Sequence, residues 1–164
     1  MTIETKRLIL RKPTLEDFEG YWLMKNDKIA CKYTGGITTY SYEERRELYE
    51  KEWVASNQNT EFSIILKTND EYIGYCGFVD DNELLYGLKR NAWGLGYGYE
   101  AVVSMLSYGF MQLNLPHIVA KVNPQNLASE KILQKIGFLF DSVAHESGII
   151  LHKYKMDVAD YLAV

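Results

Sequence analysis

Apolar positions along this chain follow two different spacings. Near the start, Arg7-Leu8-Ile9-Leu10-Arg11 reads as a short strand. Pro13 follows, and Thr14 with Asp17 three residues on makes a capping-box-like helix start. Leu15, Phe18 and Trp22 then recur at i, i+3 and i+7, which gives that helix one apolar face. Gly35-Gly36 breaks the chain. Ser41 with Glu44 is a second capping box, opening a charged helix to about Trp53 whose polar character predicts a surface position.

Past residue 60 the period shortens. Phe62-Ser63-Ile64-Ile65-Leu66, Tyr72–Val79 and Glu83–Lys89 read as three strands, separated by the turn sequences Thr68-Asn69-Asp70-Glu71 and Asp80-Asp81-Asn82. This predicts an antiparallel meander. Val102, Met105, Leu106, Gly109, Phe110 and Leu113 return to helical spacing, for a helix from about Tyr97 to Leu113. His117–Val122 reads as a strand. Asn126 is placed to cap a helix carrying Ala128, Ile132, Leu133 and Ile136, which Gly137 ends. Two closing strands are expected near Phe138–Val143 and Ile149–Met156. The pattern predicts an α/β (α+β) fold, a mixed sheet with helices on both faces. Without repeats, low-complexity tracts or a linker, 1–164 reads as a single domain.

Composition narrows the class. The 164 residues are 47% apolar with a net charge of −4, which fits one folded core and no disordered or fibrous chain. No dense Lys/Arg run suggests nucleic acid as a partner. No stretch approaches the length of apolar chain that crosses a membrane, and Met1–Lys6 lacks a signal peptide's apolar segment, so the expected location is cytoplasmic. Cys31 and Cys76 are isolated, and Tyr75-Cys76-Gly77-Phe78 reads as core, so both are expected as free thiols. Two Cys and three scattered His give no metal-ligand spacing, and no metal is expected.

The segment with chemistry in it is Trp93-Gly94-Leu95-Gly96-Tyr97-Gly98. A strand, alternating glycines and a long helix let backbone N–H groups approach an anion, with the helix N-terminus behind them. Dipole effects at exposed sites amount to roughly 0.3–1 kcal/mol, so several N–H bonds have to do the holding. The dinucleotide fingerprint fails because Tyr99 stands at its third glycine, and no Gly-Lys-Ser/Thr follows. A plain glycine turn without ligand remains open from the loop alone.

The flanks carry a resemblance. Leu85-Tyr86-Gly87-Leu88, then Trp93 to Ala101, is similar to the GNAT superfamily of N-acetyltransferases, whose pattern is Gln/Arg-x-x-Gly-x-Gly/Ala. Gly96 and Gly98 match its small positions, while Trp93 departs from Gln/Arg. Trp-Gly-x-Gly-Tyr-x-x-Glu-Ala resembles the RimJ/RimL-like branch, which is similar to ribosomal-protein N-terminal acetyltransferases. Ile118 to Ser129, Leu133 to Phe138, and the opening Thr5-Lys6-Arg7-Leu8-Ile9-Leu10-Arg11 resemble the same branch. The resemblance implies a GNAT-type, mostly antiparallel sheet of about six to seven strands.

It also implies transfer of an acetyl group from acetyl-CoA to a primary amine, either a protein N-terminal α-amine or a small molecule. A non-catalytic acyl-CoA-binding or sensing module is the alternative, and monomer and homodimer are both expected states. By resemblance, the pyrophosphate meets backbone N–H groups of Leu95, Gly96, Tyr97, Gly98 and Tyr99. The pantetheine arm pairs with the strand edge at Leu88, Lys89 and Arg90, and an N–H near Leu88 polarises the thioester carbonyl. Asn126 is the expected side-chain contact to pantetheine, or a plain N-cap, or both. The resemblance makes Ser129 the expected proton donor to the leaving thiolate; the tyrosine many relatives carry four residues later is Leu133 here, which leaves Ser129, a water or another tyrosine, with Tyr86 and Tyr97 among 13, for that step. For the base, Asp141 and Glu83 are the candidates, with Asp80 a further alternative. Glu100 is explained by the helix dipole alone.

Overall fold

A computed structural model of the chain describes residues 1–58 and 60–164. Its sheet has eight strands: β1 (Thr2–Glu4), β2 (Leu8–Arg11), β3 (Glu61–Leu66), β4 (Tyr72–Val79), β5 (Glu83–Leu88), β6 (His117–Val122), β7 (Leu139–Glu146) and β8 (Ile149–Asp157). Their order across the sheet is β1-β2-β3-β4-β5-β6-β8-β7. The mixed, mainly antiparallel sheet agrees with the expectation. The added strand is β1, whose three residues are too few to display an alternation in the sequence.

Five helices join the strands: α1 (Phe18–Lys25), α2 (Tyr42–Tyr49), α3 (Tyr97–Met111), α4 (Leu127–Ile136) and α5 (Val158–Leu162). Both expected capping boxes form. Ser41 Oγ accepts from Glu44 N–H, and Asp17 Oδ2 accepts from Thr14 N–H at 2.9 Å. Asp17 is buried, and Arg11 grips it with two nitrogens at 2.8 Å while Ser63 Oγ donates at 2.7 Å. A buried carboxylate needs such partners to remain charged.

The sheet has one weak seam. β4 and β5 pair along their length, from Val79–Glu83 to Gly74–Leu88. β5 and β6 are parallel and are registered only at Glu83–Val119. They therefore separate toward Leu88 and Val122, and the gap opens where α3 and α4 begin. The crossovers β5-α3-β6 and β6-α4-β7 run the same way across the sheet, and right-handed connections put both helices on one face. Val102, Met105 and Leu106 of α3 and Leu133 of α4 pack there with Leu84, Ile118 and Phe138.

The opposite face is aromatic. Phe18, Tyr21 and Met24 of α1 and Tyr49 of α2 pack on Ile65 and Tyr72. The charged helix is thus less superficial than its composition suggests, since Tyr49 is buried. After Tyr49 the helix continues as a π turn over Glu50–Val54, with Ala55 N–H donating to Glu50 O at 2.8 Å. The turn brings Trp53 against Tyr49, stacked at 5.5 Å, and against Tyr75, edge-on at 5.3 Å.

Candidate active site

The mouth of the β5–β6 gap is built first by backbone. Lys89 N–H donates to Ile73 O at 2.7 Å. Antiparallel pairs alternate their hydrogen-bonding sides, so the N–H and C=O groups of Leu88 and Tyr86 face away from β4, into the gap. The Leu88 carbonyl is taken by Trp93 Nε1 at 3.0 Å. Trp93, at the position where relatives carry Gln or Arg, thus fixes the strand end, and the Leu88 N–H is left directed at the gap.

Gly96 caps α3 in the left-handed region, at φ 83°. A side chain there would be strained. The first α-helical bond is Glu100 N–H to Gly96 O, so the N–H groups of Tyr97, Gly98 and Tyr99 lie ahead of the helical ladder. Gly98 is buried, and a Cβ on it would stand 3.3 Å from Ile132 Cδ1 of α4. The missing side chain lets the two helix starts approach each other. The residues expected around a pyrophosphate are brought together here as a rim of backbone donors.

The sequence did not disclose what holds that rim. Arg7 Nη1 donates to Leu95 O at 2.8 Å, its Nε donates to Glu100 Oε2 at 2.7 Å, and its guanidinium lies 4.5 Å from the Tyr97 ring centre. Glu100 Oε1 also accepts from Arg7 N–H at 2.8 Å and from Thr5 Oγ1 at 2.5 Å. Burial alone would raise the Glu100 pKa, but the bonds from Thr5 and Arg7 outweigh it and hold the carboxyl below its ordinary range. Glu100 is therefore the hub of a brace, which corrects the reading that the dipole suffices to explain it.

Across the gap, α4 starts at Asn126, whose Oδ1 accepts from Ser129 N–H at 3.2 Å. Ser129 Oγ lies 2.5 Å from Tyr86 Oη. Burial pushes the Tyr86 hydroxyl pKa up, partly offset by Ser129, so the phenol keeps its proton near neutrality. Tyr86 is the functional candidate that sequence reasoning left among 13 tyrosines. Its signal was strand parity, since Leu84, Tyr86 and Leu88 share the face that α3 and α4 cover. Leu133 is a buried core residue. Beside Ser129, Glu130 anchors α4 to β8 through His152 Nδ1 at 2.6 Å and the Tyr154 hydroxyl at 3.2 Å.

Other expected residues stand apart from this cluster. Arg90 lies in a 3-10 turn after β5 and pairs with Asp27 at 3.1 Å. Glu83 lies at the closed end of the gap, paired with Lys121 at 3.0 Å. Leu88 lies five residue steps further along β5, about 16 Å of chain. Asp141 is exposed at a bulge in β7, where its Oδ2 accepts from Ser142 Oγ at 2.8 Å. Among the described residues no His/Cys/Asp/Glu group could hold a metal, and no helix is long and apolar enough to cross a membrane. Cys31 and Cys76 are free and buried, as expected. On the α1–α2 side of β5, a cavity of about 100 Å³ is lined by Trp53, Glu61, Tyr75, Gly77 and Leu85.

Residues 7–139 match the family model described as an acetyltransferase (GNAT) domain. An uncharacterized N-acetyltransferase of Bacillus licheniformis, p20, is 38% identical over 148 residues, covering 84% of this chain and 82% of that protein. Among solved structures, a GNAT-family acetyltransferase of Bacillus anthracis superposes with a TM-score of 0.83 at 23% identity, covering 97% and 99% of the two chains. A spermidine N-acetyltransferase of Vibrio cholerae, in complex with CoA and spermine, superposes with a TM-score of 0.84 at 20% identity, covering 96% and 99%.

Proposed function

The chain belongs to the GNAT acetyltransferase family, and from that premise we propose that it moves an acetyl group from acetyl-CoA directly to a primary amine. One observation carries the reading: the Leu88 N–H, the donor rim of α3 and the Tyr86–Ser129 pair all border one gap in the sheet. A row of backbone donors beside an unpaired strand edge suits a long, anionic cosubstrate. The pyrophosphate would lie on the N–H groups of Leu95 to Tyr99, and the pantetheine arm along the open edge of β5, with the amide nitrogen of Asn126 in reach. Acetyl-CoA supplies the activated acetyl group. Leu88 N–H donates to its carbonyl oxygen, where charge develops during transfer.

Magnitudes limit what Tyr86 and Ser129 do. A phenol at pKa 10 or above is a weaker acid than a thiol near about 8.5. The pair is therefore no net source of the thiolate's proton. It passes on a proton that originates on the attacking nitrogen and donates a hydrogen bond to the departing sulfur. On the base, roughly a tenth of an α-amine of pKa about 8 is already neutral near pH 7, against less than about a thousandth of a lysine amine. With Glu83 and Asp141 away from the gap's mouth, a water relay suffices for an α-amine and not for a lysine. This favours α-amines, as does membership of the RimJ/RimL-like branch, which we also propose.

Free CoA release on incubation with acetyl-CoA and a panel of peptides and small amines tests the reading. Turnover dependent on Ser129 and Tyr86 is the expected result. Tight acetyl-CoA binding without turnover on any amine would establish the binding-module alternative instead. No thermal shift with acetyl-CoA would dismiss both.

A further inference from the structure

If the chain is an acetyltransferase, the face of β5 opposite Tyr86 bears on its acceptor. There Gly87 lies under the Tyr75 ring, so that a Cβ on Gly87 would meet Tyr75 Cε1 at 2.9 Å and its hydroxyl oxygen at 3.1 Å. Tyr75 and Tyr21 form a ledge, with ring centres 6.3 Å apart. Two cations of the protein stand on that ledge. Lys25 Nζ is 5.2 Å from the Tyr75 ring centre and 5.7 Å from that of Tyr21. The Arg45 guanidinium is 5.2 Å from the Tyr21 ring centre and hydrogen-bonds its hydroxyl. The charge on Arg45 is also felt at the Tyr75 hydroxyl.

Neither cation has a carboxylate within 4 Å among the described residues. Seven of the 18 Lys and Arg residues do, so the lack of an ion pair gains its meaning here from burial and from the shared aromatic ledge. Arg45 Nε is moreover buried without a hydrogen-bond partner. Two like charges on one half-buried aromatic ledge repel each other, and a buried guanidinium N–H lacking an acceptor is costly. An anion bound beside the two cations relieves the repulsion. Glu61 lines the small cavity together with Tyr75, Trp53 and Leu85, so this aromatic wall has a carboxylate as well as the two cations about it.

We propose that Lys25 and Arg45 form an anion subsite of the acceptor pocket, and that the acceptor is an amine carrying a carboxylate or phosphate. Cationic aromatic ledges attract anions and repel polycations, so polyamines are poor acceptors for this chain. Charge separation across the wall suits a zwitterion, with the ammonium toward Glu61 and the anion toward the two cations.

Matched acceptors test this in the acetyl-CoA assay. L-Phenylalanine is compared with phenethylamine, and O-phosphoethanolamine with ethanolamine, each pair differing by the anion alone; spermidine is the polycation. The anionic member of at least one pair should have a kcat/KM higher by about ten- to a hundredfold, the range of one or two charge-assisted hydrogen bonds. The pair that responds identifies the anion. Lys25→Met and Arg45→Met, checked for folding by circular dichroism, should each shrink that ratio about tenfold while the acetyl-CoA KM stays within twofold. Arg45→Lys should restore part of it. Equal use of both members of both pairs, a ratio that survives in both variants, or spermidine as the best acceptor would overturn the proposal. If no amine turns over, the acetyltransferase reading fails separately. Calorimetric titration of the protein with the same pairs then decides the subsite, and binding that ignores the anion refutes it.

Discussion

Tyr86 Oη on β5 and Ser129 Oγ on the first turn of α4 stand 2.5 Å apart, joined across the one seam where the sheet opens. The serine belongs to the helix that Asn126 caps, and the tyrosine to the strand whose Leu88 N–H faces the gap. The proposed proton handling and carbonyl polarisation would thereby rest on a strand and a capped helix, two residues apart along β5. Rigid placement of this kind is what lets hydrogen bonds act at the moment of transfer without reorganising first.

If the pair works as one relay, its two members are not additive. Tyr86→Phe and Ser129→Ala should each lower kcat about 10²-fold, within the span of positioned proton transfer. The double variant should fall little further, because either loss interrupts the same path. The acetyl-CoA KM should change less than threefold. Steady-state kinetics of the three variants checks this. Multiplied losses in the double variant would separate the two groups, and an unchanged Tyr86→Phe would leave the serine alone with the role.

Arg7 should behave as a positioning residue for the cofactor rim. It touches Leu95 O, Glu100 and Tyr97 at once, so Arg7→Ala releases the loop backbone and strips Glu100 of the guanidinium charge and its Nε bond, while the backbone N–H at position 7 stays on Oε1. The expected result is an acetyl-CoA KM raised about tenfold with kcat nearly unchanged. Arg7→Lys should recover only part, since an ammonium cannot hold Leu95 O and Glu100 in the same fork. A loss confined to kcat would point to a role other than holding the loop.

The contrast between Gly96 and Arg7 shows what a sequence exposes. Gly96 and Gly98 lie within a few residues of each other, and their spacing states the backbone geometry directly. The brace joins Arg7 to Glu100 over 93 positions, and nothing local to either residue announces the other. Glu100 in isolation therefore read as a dipole effect. Tyr86 was legible only by parity along β5, after the face covered by α3 and α4 was known. Asn126 was legible as a helix cap because caps are local, whereas the positions of Glu83 and Asp141 relative to the gap depend on where β5 closes on β6 and where β7 bulges. The pattern carries this helix to about Trp53, but a π turn leaves no periodic trace over five residues, so the placement of Trp53 against Tyr49 and Tyr75 was not legible.

Gly96→Ala separates backbone shape from side-chain chemistry. The φ of 83° costs a non-glycine residue roughly 1–2 kcal/mol, and the new Cβ would sit 3.2 Å from Arg7 Nη2. Gly94→Ala carries a similar strain, at φ 73°, with nothing within 4 Å of the new atom. Both should lower the melting temperature by a few degrees. The Gly96 variant should in addition raise the acetyl-CoA KM clearly more than the Gly94 variant, because it disturbs the helix-capping residue and the brace together. Equal KM values would mean that the rim's geometry does not depend on Gly96.

Asp17 should govern acid stability, and the sign follows from its partners. Burial alone would push its pKa up, but the Arg11 pair, the Thr14 N–H and the Ser63 hydroxyl outweigh this and hold it below the ordinary carboxylate value. A carboxyl depressed on folding contributes stability that is complete above its unfolded pKa, about 3.9, and is lost as pH falls through the lower folded value. Urea midpoints should therefore be insensitive to Asp17 titration between pH 5 and 8 and drop below about pH 4. In Asp17→Asn the guanidinium of Arg11 keeps its charge and loses both carboxylate oxygens. Removal of one partner of a buried pair costs about 3–5 kcal/mol, with the lower end expected here because Arg11 is 31% exposed. The variant should be less stable throughout and lack that share of the acid limb, so that the two proteins converge below pH 4. Parallel curves at all pH values would show that the Asp17 carboxyl titrates alike in the folded and unfolded chains, and that packing rather than charge accounts for its place beside Arg11 and Ser63.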